Sequence, residues 1–209
     1  MVTTENRRPL KTRSKPWAQA LAKLLVRLKV QPNHISIAGV VFAVLGGACL
    51  VATSYNALIF LAAALCIQAR LLCNMMDGLV AVEGGMKSNY GDMYNEIPDR
   101  IADVIFLLCA GYAAHSPTLG WTCSVLAVFT AYLRVFGGSL GQKQDFCGPM
   151  AKQHRMFVLT VGCILSSINL IVGGADHALL IALWIIAVGA IATSVRRTLR
   201  IAKLTLVKP

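Results

Sequence analysis

The acidic residues of this chain are few and lie close together. The sequence of 209 residues contains nine Asp and Glu residues, and six of them fall between positions 77 and 103 (Asp77, Glu83, Asp92, Glu96, Asp99 and Asp103). Much of the sequence around them is apolar, and a carboxylate in such a setting is costly unless it serves a site. We therefore interpret this stretch as the functional centre of the molecule.

Helical spacing gathers these acids, together with two asparagines, onto two faces. The first helix has one face with residues at intervals of i, i+3, i+4 and i+7, namely Asn74, Asp77, Gly78 and Ala81. The next helix carries polar residues and a glycine on adjoining turns, namely Gly91, Asp92, Asn95, Glu96, Asp99 and Asp103. Because the segment between the helices is short, we expect antiparallel neighbours whose acidic faces converge.

Converging oxygen ligands favour a hard divalent cation, Mg²⁺ or Mn²⁺, with Ca²⁺ as a further option. The candidate ligands are Asp77, Asp99, Asn74 and Asn95, and Glu96 and Asp103 are further candidates. In the alternative interpretation, the acids are paired with Arg70, Arg100 and Arg134 without any metal. Six acids exceed what three arginines need, so the sequence favours the metal site.

The elements that position these residues are predicted from the charge-free stretches. Residues 30–69 contain no Lys, Arg, Asp or Glu, and neither do residues 104–133. A third stretch, 156–195, is interrupted only near Asp176. About 20 apolar residues suffice for one membrane crossing, so we predict three helical hairpins. The predicted spans are 35–54, 57–82, 92–114, 118–139, 155–173 and 177–199.

The basic residues set the predicted orientation. The chain has 20 Lys and Arg, a net charge of +11 and 56% hydrophobic residues, and none of the three predicted hairpin turns contains a basic residue. The positive-inside rule then places both termini and the acidic centre in the cytosol. Residues 1–34 form a basic cytosolic leader, in which residues 15–28 are predicted as an amphipathic helix in the membrane interface. Residues 35–209 form one six-helix domain.

The composition also excludes several classes of protein. A nucleic-acid-binding protein needs a polar, soluble fold, which this sequence does not supply, and 14% charged residues argue against an ordinary soluble domain. We therefore expect an all-α polytopic integral membrane protein, located in the inner (cytoplasmic) membrane if the source is bacterial.

The spacing of these residues resembles that of the CDP-alcohol phosphatidyltransferase family. That family carries the pattern Asp-x2-Asp-Gly-x2-Ala-Arg-x8-Gly-x3-Asp-x3-Asp. Here the run is Asn74-x2-Asp77-Gly78-x2-Ala81-Val82-x8-Gly91-x3-Asn95-x3-Asp99, with every interval kept. The first and third aspartates are asparagines in this chain, and the arginine is Val82.

The resemblance implies roles for the matching residues. In the family, four aspartates hold two divalent ions that bind the diphosphate of a CDP-alcohol, and the fourth is the proposed base. Carried over, Asp99 is the catalytic base and a metal ligand, and Asp77 is a metal ligand. Asn74 and Asn95 offer amide oxygens to the metal. The nucleotide is expected at Asn74, Gly78, Ala81, Gly91 and Asp92.

The resemblance also implies a reaction and its partners. A phosphatidyl or substituted phosphoryl group passes from a CDP-alcohol, such as CDP-diacylglycerol, to an acceptor hydroxyl, and CMP leaves. The acceptor is a small or lipid alcohol. A basic set that includes Arg134, Lys152 and Arg155, the candidate acceptor-binding residues, favours a phosphorylated acceptor. The resemblance further implies a homodimer within membrane lipid.

Two other functions stay open at the level of the sequence. The asparagines and Val82 are compatible with a non-catalytic family member that binds a CDP-lipid or a membrane partner. A transporter is also compatible with six spans and buried acids, although no inverted repeat is visible and the acids concentrate in one hairpin.

Overall fold

A computed structural model describes residues 15–52, 56–86, 91–142, 146–173 and 177–206. Within these ranges the chain is entirely helical, with seven helices: α1 (Pro16–Arg27), α2 (Pro32–Val51), α3 (Ala57–Glu83), α4 (Gly91–Ala113), α5 (Pro117–Ser139), α6 (Lys152–Val172) and α7 (Ala178–Leu206). The predicted all-α fold is confirmed. The described part does not include Ser54, Tyr55, Lys143, Asp176 or the side chain of Asp92.

Five of the described helices, α2, α3, α5, α6 and α7, are long and apolar enough to cross a membrane. The exception among the predicted spans is α4, whose first half carries several charged residues, including Glu96, Asp99 and Arg100. The second half of α4 is apolar from Val104 onward. The count of six spans therefore does not follow from length and apolarity alone.

Four predicted helix boundaries differ from the structure by three residues or more. Two of them are the end of the first long helix, at Val51 and not residue 54, and the start of α6, at Lys152 and not residue 155. The first long helix begins at Pro32, three residues before the predicted start, because proline is favoured in the first turn of a helix, where its missing N–H is not needed. The last helix continues to Leu206, beyond the predicted end at residue 199. Basic residues in its final turns, such as Lys203, interact favourably with the negative end of the helix dipole.

The helix α2 lies at the centre of one side of the bundle. It packs along both α3 and α4, while α3 also packs on α6, α4 on α5, and α7 on α5 and α6. As a result α3 and α4 touch each other only slightly. The two helices predicted as antiparallel neighbours therefore have little contact over most of their length, because α2 packs along both of them. They meet at the acidic site.

The apolar core forms where these helices cross. Leu50, Ile67, Phe106 and Leu183, from α2, α3, α4 and α7, are fully buried in it. Full burial of a side chain of this size stabilises the fold by roughly 1.5–3 kcal/mol. Large apolar side chains on the outer faces, such as Leu65, are exposed, as expected for a surface that faces lipid.

The amphipathic helix α1 docks on the protein through small residues. Ala18 and Ala22 are fully buried in a cluster that includes Met76 and Val80 of α3. Trp17 and Leu24, by contrast, are about half exposed. The helix therefore has one face against α3 and a second apolar face available to the membrane interface.

The backbones of α4 and α5 approach each other closely where the two helices cross. A Cβ placed at Gly111 would lie 2.5 Å from the Cα of Gly120, and one placed at Gly120 would lie 2.8 Å from the Cα of Gly111. Backbone atoms cannot move aside as a flexible side chain can. Close approach through small residues is a common means of helix association in membranes.

We expect Gly111→Ala to destabilise the protein, since the added methyl group forces α4 and α5 apart. The measurement is the thermal unfolding midpoint of the purified protein in detergent. Gly137→Ala is the matched control, because a Cβ there meets Ile201 at an ordinary distance of 3.4 Å. Alanine is also the better helix former by about 1 kcal/mol, so the control should keep or raise the midpoint. Equal midpoints for the two variants would contradict the prediction.

Candidate active site

Asp99 is the meeting point of three helices. Its carboxylate lies on α4 and is largely buried, with 12% of the side chain exposed. The oxygen Oδ1 accepts a hydrogen bond from Asn74 Nδ2 at 2.9 Å and one from Arg70 Nη2, both from α3. Lys152, the first residue of α6, forms an ion pair with the same oxygen. Arg100 is farther away, with its Nη2 at 3.7 Å from Oδ2.

Asp77, the second carboxylate of the spaced motif, is held by a different set of donors. It is 4% exposed. Its Oδ2 accepts a hydrogen bond from Ser36 Oγ of α2 at 2.9 Å, and its Oδ1 accepts one from the backbone N–H of Gly78 at 2.5 Å. The charges of Asp77 and Asp99 act on each other. The structure thus brings together the two aspartates that the spacing singled out.

Ser36 was not anticipated as part of the site. It lies near the start of α2, outside the spaced motif. A serine inside an apolar helix is a usable signal, since a buried hydroxyl needs a partner. Ser36 is 3% exposed and finds that partner in Asp77.

The remaining motif residues line the same stretch of α3 and α4. Gly78 is buried beside Asp77, and Ala81 is half-buried one turn further along α3. Gly91 and Asn95 are half-buried on α4, two turns and one turn before Asp99. Their role toward a nucleotide stays a prediction. The side chain of Asp92 lies outside the described part of the chain.

The other two acids of α4 are each bound to an arginine. Glu96 forms an ion pair with Arg134 of α5, and a longer one of 3.9 Å with Arg100. Asp103 Oδ2 accepts a hydrogen bond of 2.7 Å from Arg155 Nη2 of α6. The ion pairs that the alternative interpretation expected for Arg70, Arg100 and Arg134 are therefore present.

Of the predicted acceptor-binding residues, Lys152 lies nearest the motif aspartates. Arg155 is 2% exposed and also donates to Thr130 Oγ1 at 3.2 Å and to the carbonyl of Met150 at 3.1 Å. These contacts make Arg155 part of the protein interior. Arg134 contacts Glu96, and its guanidinium lies over the ring of Phe146, 5.4 Å from the ring centre.

A short loop before α6 determines where Lys152 lies. The backbone N–H of Met150 donates to Thr193 Oγ1 at 2.9 Å, and Arg197 Nε donates to the carbonyl of Cys147 at 3.0 Å. Both partners belong to α7. Gly148 has φ of +114°, and its missing side chain makes room for Thr193. Thr193 and Arg197 therefore anchor the loop, a role that sequence reasoning missed because it depends on contacts between distant segments.

Comparison with known proteins gives relatives over most of the chain, and two of them are phosphatidylinositol phosphate synthases. No family model matches the chain. The phosphatidylinositol phosphate synthase of Corynebacterium glutamicum is 28% identical over 198 residues, which cover 91% of this chain and 86% of that protein. The predicted resemblance to the CDP-alcohol phosphatidyltransferases is confirmed. The inner membrane protein YnbA of Escherichia coli is 26% identical over 152 residues, 69% of this chain and 74% of that protein.

The fold is shared with a solved phosphatidylinositol phosphate synthase. The crystal structure of the Mycobacterium tuberculosis enzyme in complex with manganese and citrate superimposes with a TM-score of 0.75, at 22% identity and 88% coverage of each chain. The same enzyme with CDP-DAG bound gives a TM-score of 0.73 and covers 88% of this chain and 92% of that one. The likeness establishes a CDP-alcohol phosphatidyltransferase-like arrangement of helices.

The residues present fit a divalent cation that the substrate helps to hold. In the described residues, no group of three or more His, Cys, Asp and Glu side chains could hold a metal ion. Glu96 and Asp103 therefore do not join the two motif aspartates in one cluster. Asp77 and Asp99 supply two carboxylates, and Mg²⁺ is commonly held by one or two carboxylates together with substrate phosphates.

We expect the buried pair of Asp103 and Arg155 to be essential for stability. The two side chains are 1% and 2% exposed. Removal of one partner from a buried pair leaves an uncompensated charge and costs about 3–5 kcal/mol, whereas replacement of both partners by apolar residues is often neutral. Asp103→Leu alone should therefore lower the thermal midpoint strongly, and Asp103→Leu with Arg155→Met should recover most of the loss. A double variant no more stable than the single one would refute the pairing.

Proposed function

We propose that the chain transfers a phosphatidyl or substituted phosphoryl group from a CDP-alcohol, such as CDP-diacylglycerol, to an acceptor hydroxyl in phospholipid synthesis. One observation carries the proposal. Asp77 and Asp99, which the family's spacing singles out, are close enough for their charges to interact, and Asp99 contacts both Arg70 and Lys152. The names of the relatives agree, since two of the matched proteins are phosphatidylinositol phosphate synthases.

The proposed reaction is one displacement at phosphorus. The acceptor oxygen forms a bond to the lipid-linked phosphorus, and the bond from that phosphorus to the CMP oxygen breaks. Asp99 accepts the proton of the acceptor hydroxyl, and the CMP phosphate keeps the electron pair of the broken bond. Charge develops on the phosphoryl oxygens, so positioned positive groups are the main source of catalysis in reactions of this type.

The residues of the chain divide this work between them. Asp77 and Asp99, with the amide oxygens of Asn74 and Asn95, hold a Mg²⁺ or Mn²⁺ ion. When bound, the ion neutralises charge on the diphosphate and on the departing CMP. Gly78, Ala81 and Gly91 line the nucleotide, and Asp92 is proposed to bind it as well.

The acceptor is proposed to be a small phosphorylated alcohol. Lys152 is the basic residue nearest the reacting groups, since it contacts Asp99. Arg134 lies at the end of α5 and is paired with Glu96, and a phosphate could compete for it. Arg155 lies inside the protein and supports this site through its hydrogen bond to the carbonyl of Met150, in the loop before Lys152. Inositol phosphate is the first acceptor to test, because of the relatives.

We further propose a topology of six spans, α2 to α7, with α1 in the interface, a cytosolic site and a homodimer. The charged half of α4 then lies at the aqueous mouth and its apolar half crosses the bilayer. Six spans place the two termini on one side, whereas five would separate them.

Fusions to green fluorescent protein and to alkaline phosphatase distinguish the two topologies. A fluorescent, phosphatase-inactive C-terminus together with a phosphatase-active fusion at residue 116 is expected for six spans in a bacterial host. A phosphatase-active C-terminus would contradict the topology.

The direct test of function is CMP release from CDP-diacylglycerol by the purified protein with Mg²⁺ or Mn²⁺ and a panel of acceptor alcohols. We expect release with at least one acceptor. Asp77→Ala and Asp99→Ala should each lower it by roughly 100-fold or more, the usual contribution of a positioned acid or base. Glu83→Ala is the matched control, since Glu83 is exposed at the end of α3.

The outcome also separates the enzyme from the non-catalytic alternative. Nucleotide binding without CMP release, against an active reference enzyme, would overturn the proposal and favour a binding protein. Gain of turnover in the double variant Asn74→Asp with Asn95→Asp would then identify the asparagines as the cause. Retained activity in both aspartate variants would remove the site assignment.

A further inference from the structure

One oxygen of Asp99 is already fully occupied by protein donors. Its Oδ1 is contacted by Arg70 Nη2, Asn74 Nδ2 and Lys152 Nζ. A carboxylate offers about four lone-pair sites over its two oxygens, and therefore about two on each. Three donors saturate Oδ1, so only Oδ2 of Asp99, which has Arg100 Nη2 at 3.7 Å, can face an ion.

The donors around Asp77 leave it more room. Each of its oxygens accepts one hydrogen bond, Oδ2 from Ser36 Oγ and Oδ1 from the Gly78 N–H. Each oxygen therefore keeps a lone pair for a cation. Together with Asp99 Oδ2, the two motif aspartates offer three such oxygens. With the amide oxygens of Asn74 and Asn95, those ligands suit one Mg²⁺-type ion completed by phosphate oxygens, and the two carboxylates carry too little negative charge for two divalent ions.

Positive charge is nevertheless abundant at the site, because Arg70, Lys152 and Arg100 all face Asp99. The guanidinium of Arg70 stays charged in a protein, and the amides of Asn74 and Asn95 add no charge. Arg70 is 2% exposed. Its position depends on Gly39 of α2, where an added Cβ would lie 3.0 Å from Nη1 and 3.1 Å from Cδ. The absence of a side chain at Gly39 therefore lets the guanidinium stay at Asp99.

We propose that the site binds a single divalent cation, on Asp77 and Asp99 Oδ2, and that Arg70 is a fixed cation which supplies the charge that a second ion would otherwise bring. The proposal rests on the proposed function for the identity of the site. Arg70 is a positioning residue in this scheme. It holds Asp99 Oδ1 away from the metal and balances its charge.

The test counts ions directly, with Mn²⁺ as the metal and CDP as the nucleotide. Purified protein in nanodiscs is titrated with Mn²⁺, and bound manganese is measured by elemental analysis and electron paramagnetic resonance. One ion per chain with the spectrum of an isolated Mn²⁺ is expected. Two ions per chain, or the spectrum of coupled ions about 4 Å apart, would overturn the proposal, and so would the absence of any bound ion.

Variants separate a charge effect from a structural one. Arg70→Met should bind Mn²⁺ about tenfold more tightly, because the freed carboxylate charge attracts the ion, a change equal to about 1.4 kcal/mol. Arg70→Lys keeps the charge and should bind as the natural protein does. Arg196→Met removes an exposed arginine of α7 and is the matched control. Unchanged or weaker binding by a folded Arg70→Met would contradict the role of Arg70.

A second variant keeps the test decisive if Arg70→Met does not fold. Asn74→Asp with Asn95→Asp adds two carboxylates and should take up a second Mn²⁺ with a coupled spectrum; persistence of a single ion would contradict the account.

CMP release is measured in parallel on the natural protein. Two bound ions with turnover would refute the single-ion site and leave the function standing. One bound ion without turnover on any acceptor would support the single-ion site and refute the proposed function.

Discussion

The structure depends on the charge of one buried carboxylate, that of Asp99. A charge removed from water costs several kcal/mol unless partners replace the lost hydration. Here α3 supplies Arg70 and Asn74, and α6 supplies Lys152. Because all three act on one oxygen, the relative positions of α3, α4 and α6 are constrained together. The features that place these donors, Gly39 beside Arg70 and the anchored loop before Lys152, follow from that constraint.

The surroundings of Asp99 change the meaning of the acidic cluster. The described carboxylates of the cluster on α3 and α4, apart from the exposed Glu83, are Asp77, Glu96, Asp99 and Asp103. The basic side chains set against them are Arg70, Arg100, Arg134, Lys152 and Arg155. The site is therefore slightly positive before any ion binds. Such a site suits the phosphates of a CDP-alcohol better than a purely acidic site would, because those phosphates carry negative charge.

The sequence was sufficient to predict features that depend on local pattern. Charge-free stretches placed the long helices to within a few residues, apart from the extended C-terminal end of α7, and motif spacing singled out Asp77 and Asp99. Features that depend on packing were out of reach. The pairing of Asp103 with Arg155 joins residues 52 positions apart, and no local pattern distinguishes it from membrane anchoring. The position of α2 along both α3 and α4 was missed for the same reason.

The asparagine at position 74 is explained by its neighbour four residues earlier. Arg70 and Asn74 lie at i and i+4 on α3, so their side chains share a face, and both donate to Asp99 Oδ1. An aspartate at 74 would place a second negative charge against that oxygen, where like charges repel. An amide donates there instead. The loss of the carboxylate and the presence of the arginine are thus two parts of one arrangement. In the single-ion site that we propose, the guanidinium of Arg70 supplies at Asp99 the positive charge that a second ion would bring, and Asp77 is the principal ligand.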